Sequence, residues 1–217
     1  DVTFRDVGDA TSTSTAVSNT GIDGAAIYAV HLKSLYFDSC VFYRNRGRLG
    51  SGLYAENVTS VTLSSTDFVQ NHAVSGGGSF LRNVAYVEVL DCNLTDNTAS
   101  NIGGGMAFEA CNNTRVSDSL FKSNTAGTHG GAFSVHKSLK STETTGNTFN
   151  LNTASYGSAM FLRRANTWTF SGNAFTSNAC LRLGGTVRWV QGSFALGEAW
   201  EVWGDENMSD ENGWQEG

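Results

Sequence analysis

The sequence predicts an all-β chain wound as a solenoid, a single-stranded parallel β-helix of about seven coils of 26–27 residues. Three observations point there: two landmarks that share one period, a two-residue alternation beside each, and no proline among 217 residues that include 25 glycines. At average usage about ten prolines would be present. Proline is excluded where a central strand needs its backbone N–H for pairing. With 40% hydrophobic and 11% aromatic residues, the chain also has the material for one core.

The first landmark is a glycine followed by small and apolar residues. It reads Gly24-Ala25-Ala26-Ile27, Gly50-Ser51-Gly52-Leu53, Gly76-Gly77-Gly78-Ser79, Gly103-Gly104-Gly105-Met106, Gly130-Gly131-Ala132-Phe133, Gly157-Ser158-Ala159-Met160 and Gly184-Gly185-Thr186-Val187, at intervals of 26, 26, 27, 27, 27 and 27. The second is Phe-x-x-Asn, at Phe42/Asn45, Phe68/Asn71, Leu94/Asn97, Phe121/Asn124, Phe149/Asn152 and Phe175/Asn178. A fixed period of this length marks stacked supersecondary units, each covering its neighbour's open face.

Strands follow from the alternation. Three and five residues after each glycine stand pairs such as Leu53/Ala55, Met106/Phe108 and Phe133/Val135. Seven and five residues before each Phe stand Leu35/Phe37, Val61/Leu63, Val87/Val89 and Trp168/Phe170. Period two is the strand signature, and no segment carries a 3.6-residue period. About three short strands per coil are expected. The Phe landmark becomes a stacked column in the core, and the Asn landmark a ladder of side-chain amides that satisfies a turn.

The ends read differently. Residues 1–23 are expected to hold an incoming partial coil, with Val2-Thr3-Phe4 as its last strand, and the Ser/Thr-rich insertion Ala10–Thr20. Residues 24–190 form the helix proper. From 191 to 217 the repeat dissolves into a Trp-rich acidic cap or linker with Trp200, Trp203 and Trp214. The opening Asp-Val-Thr-Phe carries neither Met nor a signal-like apolar segment and reads as part of something longer.

The two tetrapeptides resemble the polymorphic membrane protein repeat, whose hallmarks are Gly-Gly-Ala-Ile-like and Phe-x-x-Asn elements. The resemblance covers about residues 24–190 and matches Phe-x-x-Asn in five of six repeats, Leu94 being the exception. It implies a right-handed β-helix and a surface-exposed or secreted adhesin.

Function must come from outward columns. One aromatic row, Tyr28, Tyr54 and Phe80 with Phe161 further along, is the candidate contact surface for a protein or glycan, unless a loop covers it. Two charge columns, Glu56-Arg82-Glu109 and Glu88-Arg115-Glu143, read as ladder ion pairs. Glu109, His136 and Arg163 are the corresponding catalytic alternative. A lyase or hydrolase needs clustered acids and long substrate-enclosing loops, and coil length here varies by only about a residue, so no enzyme is expected. No cofactor or metal is expected either. Asp205-x-Asn207-x-Ser209 lacks the glycine and closing Glu of a calcium loop, and Arg46-Gly47-Arg48 is an ordinary basic turn.

A net charge of −6 without Lys/Arg runs argues against nucleic acid, and no stretch has the length of a membrane span. Cys40 and Cys92 share a column about 9–10 Å apart, beyond disulfide reach. Cys180 aligns with buried small residues, and Cys111 falls in a variable turn. Asn57, Asn93, Asn112 and Asn207 lie in glycosylation sequons, about as many as chance supplies. The expected protein is a non-enzymatic extracellular or cell-surface rod, structural or adhesive. A filament or cell-wall building block and a carbohydrate-active enzyme are the alternatives.

Overall fold

A computed structural model describes residues 2–5, 19–138, 140–182, 184–196, 201–203 and 209–210. The insertion Ala10–Thr20, apart from its last two residues, lies outside them. So do Asp205, Asn207, Trp200 and Trp214.

The chain is a parallel β-helix. Each coil contributes a four-residue first strand (Leu53–Glu56, Ser79–Arg82, Met106–Glu109), a five-residue second strand (Ser60–Ser64, Tyr86–Leu90, Asn113–Ser117) and a three-residue third strand (Asp67–Val69, Asn93–Thr95, Leu120–Lys122). A fourth strand of two residues (His72–Ala73, Thr98–Ala99, Thr125–Ala126) was not expected, because two residues are too few to show a period. Every strand pairs in parallel with its equivalent one coil away, as in Val61↔Val87↔Thr114. The third strands form a seven-stranded sheet and the fourth strands a five-stranded one. First and second strands merge into one sheet because Met160–Ser171 runs unbroken through both positions.

Single-residue corners make this regular winding possible. The chain turns at residues in the left-handed region: His31, Asn57, Asn83, Ala110, Lys137 and Arg164 after the first strand, and Arg44, Gln70, Asp96, Ser123, Leu151 and Ser177 after the third. Gly24, Gly50, Gly76, Gly103, Gly130 and Gly157 serve before the first strand, also at positive φ. The corner N–H groups donate to the next coil, for example His31 N to Glu56 O at 3.0 Å and Arg44 N to Val69 O at 3.0 Å. A proline could supply neither the positive φ nor the donor, which accounts for its absence.

The interior is layered. Phe42 stacks on Phe68 at 4.7 Å and 9°, and Phe149 on Phe121 and Phe175 at 5.1 and 4.9 Å; Leu94 interrupts the column. The asparagine ladder runs one coil further than the Phe-x-x-Asn pattern, starting at Asn19. Asn97 Oδ1 accepts from both the backbone N and the Nδ2 of Asn71, at 3.0 Å each. Its own Nδ2 donates to Phe68 O at 2.7 Å and to Asn124 Oδ1 at 3.0 Å. Asn45, Asn71, Asn124, Asn152 and Asn178 occupy the same column.

A second ladder at the corner before the third strand was not foreseen. Asn147 and Asn173 join at 3.0 Å, and Ser119, Cys92, Thr66 and Cys40 continue the column with hydroxyl or backbone bonds. The pairs Gly146-Asn147 and Gly172-Asn173 were its only trace in the sequence.

Three expectations need correction. Val2–Arg5 pairs with Ser34–Asp38, so it is a second strand of the incoming coil rather than its last. The winding does not end at Val190. Val187–Leu196 keeps pairing through Phe170↔Leu196, and Glu201–Trp203 joins the third-strand sheet. Cys111 is buried at the inward position that Val58 and Val84 fill in earlier coils, not in an open turn. Cys40 and Cys92 are also buried, Cys180 is half-buried, and no disulfide joins any two of the four. Burial pushes the Cys92 and Cys111 thiols up to about 12, so both remain protonated and unreactive at neutral pH.

Candidate functional site

The expected aromatic row is not an exposed surface. Tyr28 is 57% exposed, but Tyr54, Phe80 and Phe161 are only 3%, 2% and 9% exposed. Tyr54, Phe80 and Ala107 form a small second core against which Val30, Leu49 and Ile102 pack, the last two each standing just before a corner glycine. Further along, His129 packs on Phe161 at 4.1 Å and on Tyr156 at 5.2 Å. Burial and the cations of Arg188 and Arg163 hold its imidazole below the ordinary range. Only Tyr28, stacked on Tyr54 at 5.2 Å, remains as an outward ring.

The charge columns pair, but not uniformly. Arg82 grips Glu109 through Nε and Nη2 at 3.0 and 2.8 Å. Glu56 instead accepts from Tyr54 Oη at 2.6 Å, a bond that together with burial raises the phenol's pKa. Glu109, His136 and Arg163 are register neighbours on successive first strands. The Glu109 carboxylate is turned toward Arg82, away from an acid–base pairing with His136. Burial first, then Arg163, holds His136 below its usual range, against the opposing pull of Glu109.

A concave feature lies on the outward face of the second strands. Ser60, Tyr86, Asn113 and Ser141 stand in one row across four coils, and Thr62, Glu88, Arg115 and Glu143 in the next. Together they line a groove of about 390 Å³. Alternation sends these side chains outward, because Val87 and Val89 on the same strand point into the core. Tyr86 is 54% exposed and offers a ring face. Ser141 Oγ donates to Asn113 Oδ1 at 3.3 Å, and Asn113 Nδ2 to Ala85 O at 3.2 Å, which fixes the amide. Arg115 Nε stands 4.0 Å from Glu143 Oε2, both side chains exposed.

The groove therefore combines an aromatic face, hydroxyl and amide groups, and charges of both signs. The sequence signalled the Glu88-Arg115-Glu143 row but not the parallel row containing Tyr86, in which Tyr86 and Asn113 stand between Ser60 and Ser141 with no one residue type throughout.

The sequons differ in setting. Asn57 is an exposed corner residue that accepts from Asn83 Nδ2 at 3.2 Å, and exposed Asn93 donates to Asp67 Oδ1 at 2.8 Å. Asn112 Oδ1 is buried without a hydrogen-bond partner among the described residues, and its Thr114 faces the core. Asn207 lies outside the described residues. Among those residues no group of three His, Cys, Asp or Glu side chains could hold a metal ion, and no helix is long and apolar enough to cross a membrane.

A family model described as a right handed beta helix region matches residues 3–194, most of the chain. No curated protein and no solved structure matches it.

Proposed function

The chain belongs to the right-handed β-helix family, and on that premise we propose that this rod-like structural domain is a non-enzymatic extracellular adhesive module. Its contact is the groove over the second strands, and its ligand is a glycan. The observation that carries this reading is Tyr86, a half-exposed ring on a rigid sheet beside a row of hydroxyl and amide groups. Aromatic rings with a polar tip suit surfaces where one side is apolar and the other wet. The polymorphic membrane protein-like repeat supports a surface or secreted location and a protein or glycan partner.

A glycan array probed with the intact domain tests the reading. Binding by the parent and a loss of about tenfold or more in Tyr86→Ala, the scale of one lost stacking contact, is the expected result. Unchanged melting would show that the loss is local. No binding, or binding indifferent to Tyr86→Ala and Arg115→Ala, would overturn it.

The enzymatic alternative makes a separate prediction. Glu88 and Glu143 stand two strand spacings apart, about 9–10 Å, close to the separation inverting glycosidases use. Products released from a polysaccharide panel and lost in Glu88→Gln or Glu109→Ala would replace an adhesive module with a hydrolase or lyase.

A further inference from the structure

We propose that the corner formed by Lys137, Lys140, Arg163 and Arg164 binds a glycan that carries sulfate or phosphate esters. This surface lies beside the groove but does not depend on the groove's reading. The negative charge of the chain is concentrated after residue 189, where seven acidic and no basic residues occur; the first 189 residues hold 14 basic against 13 acidic. On that nearly neutral body, four exposed cations share one corner of two successive coils.

The fold holds them there. His136 and Arg163 are register neighbours, and Lys137 N donates to Arg163 O at 2.9 Å. Ser138 and Thr142 hydroxyls bond at 2.9 Å beneath the turn. Lys140 N and Ser141 N both donate to Asn112 O, at 3.2 and 3.1 Å. The backbone is thus set before any ligand arrives, and coils one strand spacing apart, about 4.8 Å, present two rows of donors. The neighbouring carboxylates are occupied: Glu109 by Arg82 at 2.8 Å, and Glu143 beside Arg115 at 4.0 Å.

His136 precedes Lys137 on its strand and faces Arg163 one coil on; burial does most to hold its imidazole below the usual range, Arg163, Lys137 and Arg164 add to that, and Glu109 opposes them. Guanidinium and ammonium groups bind sulfate and phosphate oxygens through charge-assisted hydrogen bonds.

The surroundings favour a glycan over other polyanions. The next outward residues on the sheet, Thr167 and Thr169, are exposed hydroxyl side chains. Single-stranded nucleic acid needs aromatic stacking platforms, and the two rings on the Arg163 strand itself, Phe161 and Trp168, are buried. Anionic bilayers are held by basic residues accompanied by inserted apolar ones.

Titration calorimetry of the whole chain against heparin, a phosphomannan, chemically desulfated heparin, a single-stranded oligonucleotide and phosphatidylserine vesicles tests the proposal. The expected result is binding to heparin or to phosphomannan, which identifies the ester. That binding should weaken with salt and fall about tenfold or more in Lys137→Glu/Arg163→Glu, as expected when phosphate-type contacts are removed. Lys140→Glu gives a milder loss and replaces the double variant if that fails to melt cooperatively. Lys122→Glu, with the same change in net charge as Lys140→Glu but on the third-strand sheet, leaves it unchanged. No binding to either ester-bearing glycan, binding that survives charge reversal, equal binding to desulfated heparin, or equal or tighter binding to the oligonucleotide or vesicles would overturn the proposal.

Discussion

Asn97 is bonded on four sides within a fully buried ladder, to Asn71 N, Asn71 Nδ2, Phe68 O and Asn124 Oδ1. Asn97→Ala leaves buried donors and acceptors without partners, each worth about 1–3 kcal/mol. Unfolding in denaturant should therefore show a loss of about 3–5 kcal/mol. The half-buried Asn178 at the far end of the ladder should cost less. Leu151 presents the opposite case. It is 49% exposed at φ 57, a conformation that costs an L-residue roughly 1–2 kcal/mol. Leu151→Gly should stabilise the protein by about 0.5–1 kcal/mol, once glycine's greater unfolded-state entropy is subtracted. Residue by residue, what repeated was legible and what varied was not. The Asn column was readable because six asparagines recur at one period. The burial of Tyr54 and Phe80 was not, because alternation places them outward and residues from other columns, Leu49 and Ile102 among them, pack over them.

At the scale of the strand and its corner, backbone spacing decides which side chains are possible. A Cβ on Gly104 would stand 2.3 Å from Gly131 O and 2.6 Å from Thr125 O, backbone atoms of the same and the following coil. Gly104→Ala must push coils apart or bend the corner, and should destabilise by about 3 kcal/mol, the upper end of overpacking costs; thermal melting checks it. Ser158 holds the equivalent position two coils on, so the restriction is local and does not bind the whole column. Strand content was readable where alternation ran for four or five residues. The two-residue fourth strand and the bridging strand Met160–Ser171 were not, since neither is defined by a period of its own.

For the molecule as a whole, a coil is the natural unit of change. Contacts run between neighbours in the stack, so stability is a sum of coil and interface contributions. Deleting residues 76–102, one full repeat, should give a folded rod with the same circular dichroism per residue. The dependence of its unfolding free energy on denaturant should drop by about one seventh, in proportion to the surface buried. Deleting residues 76–88, half a repeat, moves core positions to the outside and should abolish cooperative unfolding. Retained cooperativity after the half-coil deletion would show that the stack tolerates a change of register.

The sequence by itself determined the coil length, the inward columns, the ladder and the exclusion of proline, because each depends on equal positions lying over one another every 26 or 27 residues. Only the tertiary structure decided which outward positions are surface. Packing of Val30, Leu49 and Ile102 buries Tyr54 and Phe80 of the aromatic row, alternation combined with stacking assembles the groove around Tyr86, and the corner after the first strand gathers Lys137 and Lys140 with Arg163 and Arg164. No one residue type holds along any of these rows from coil to coil. Their chemistry arises from juxtaposition, which a period does not encode.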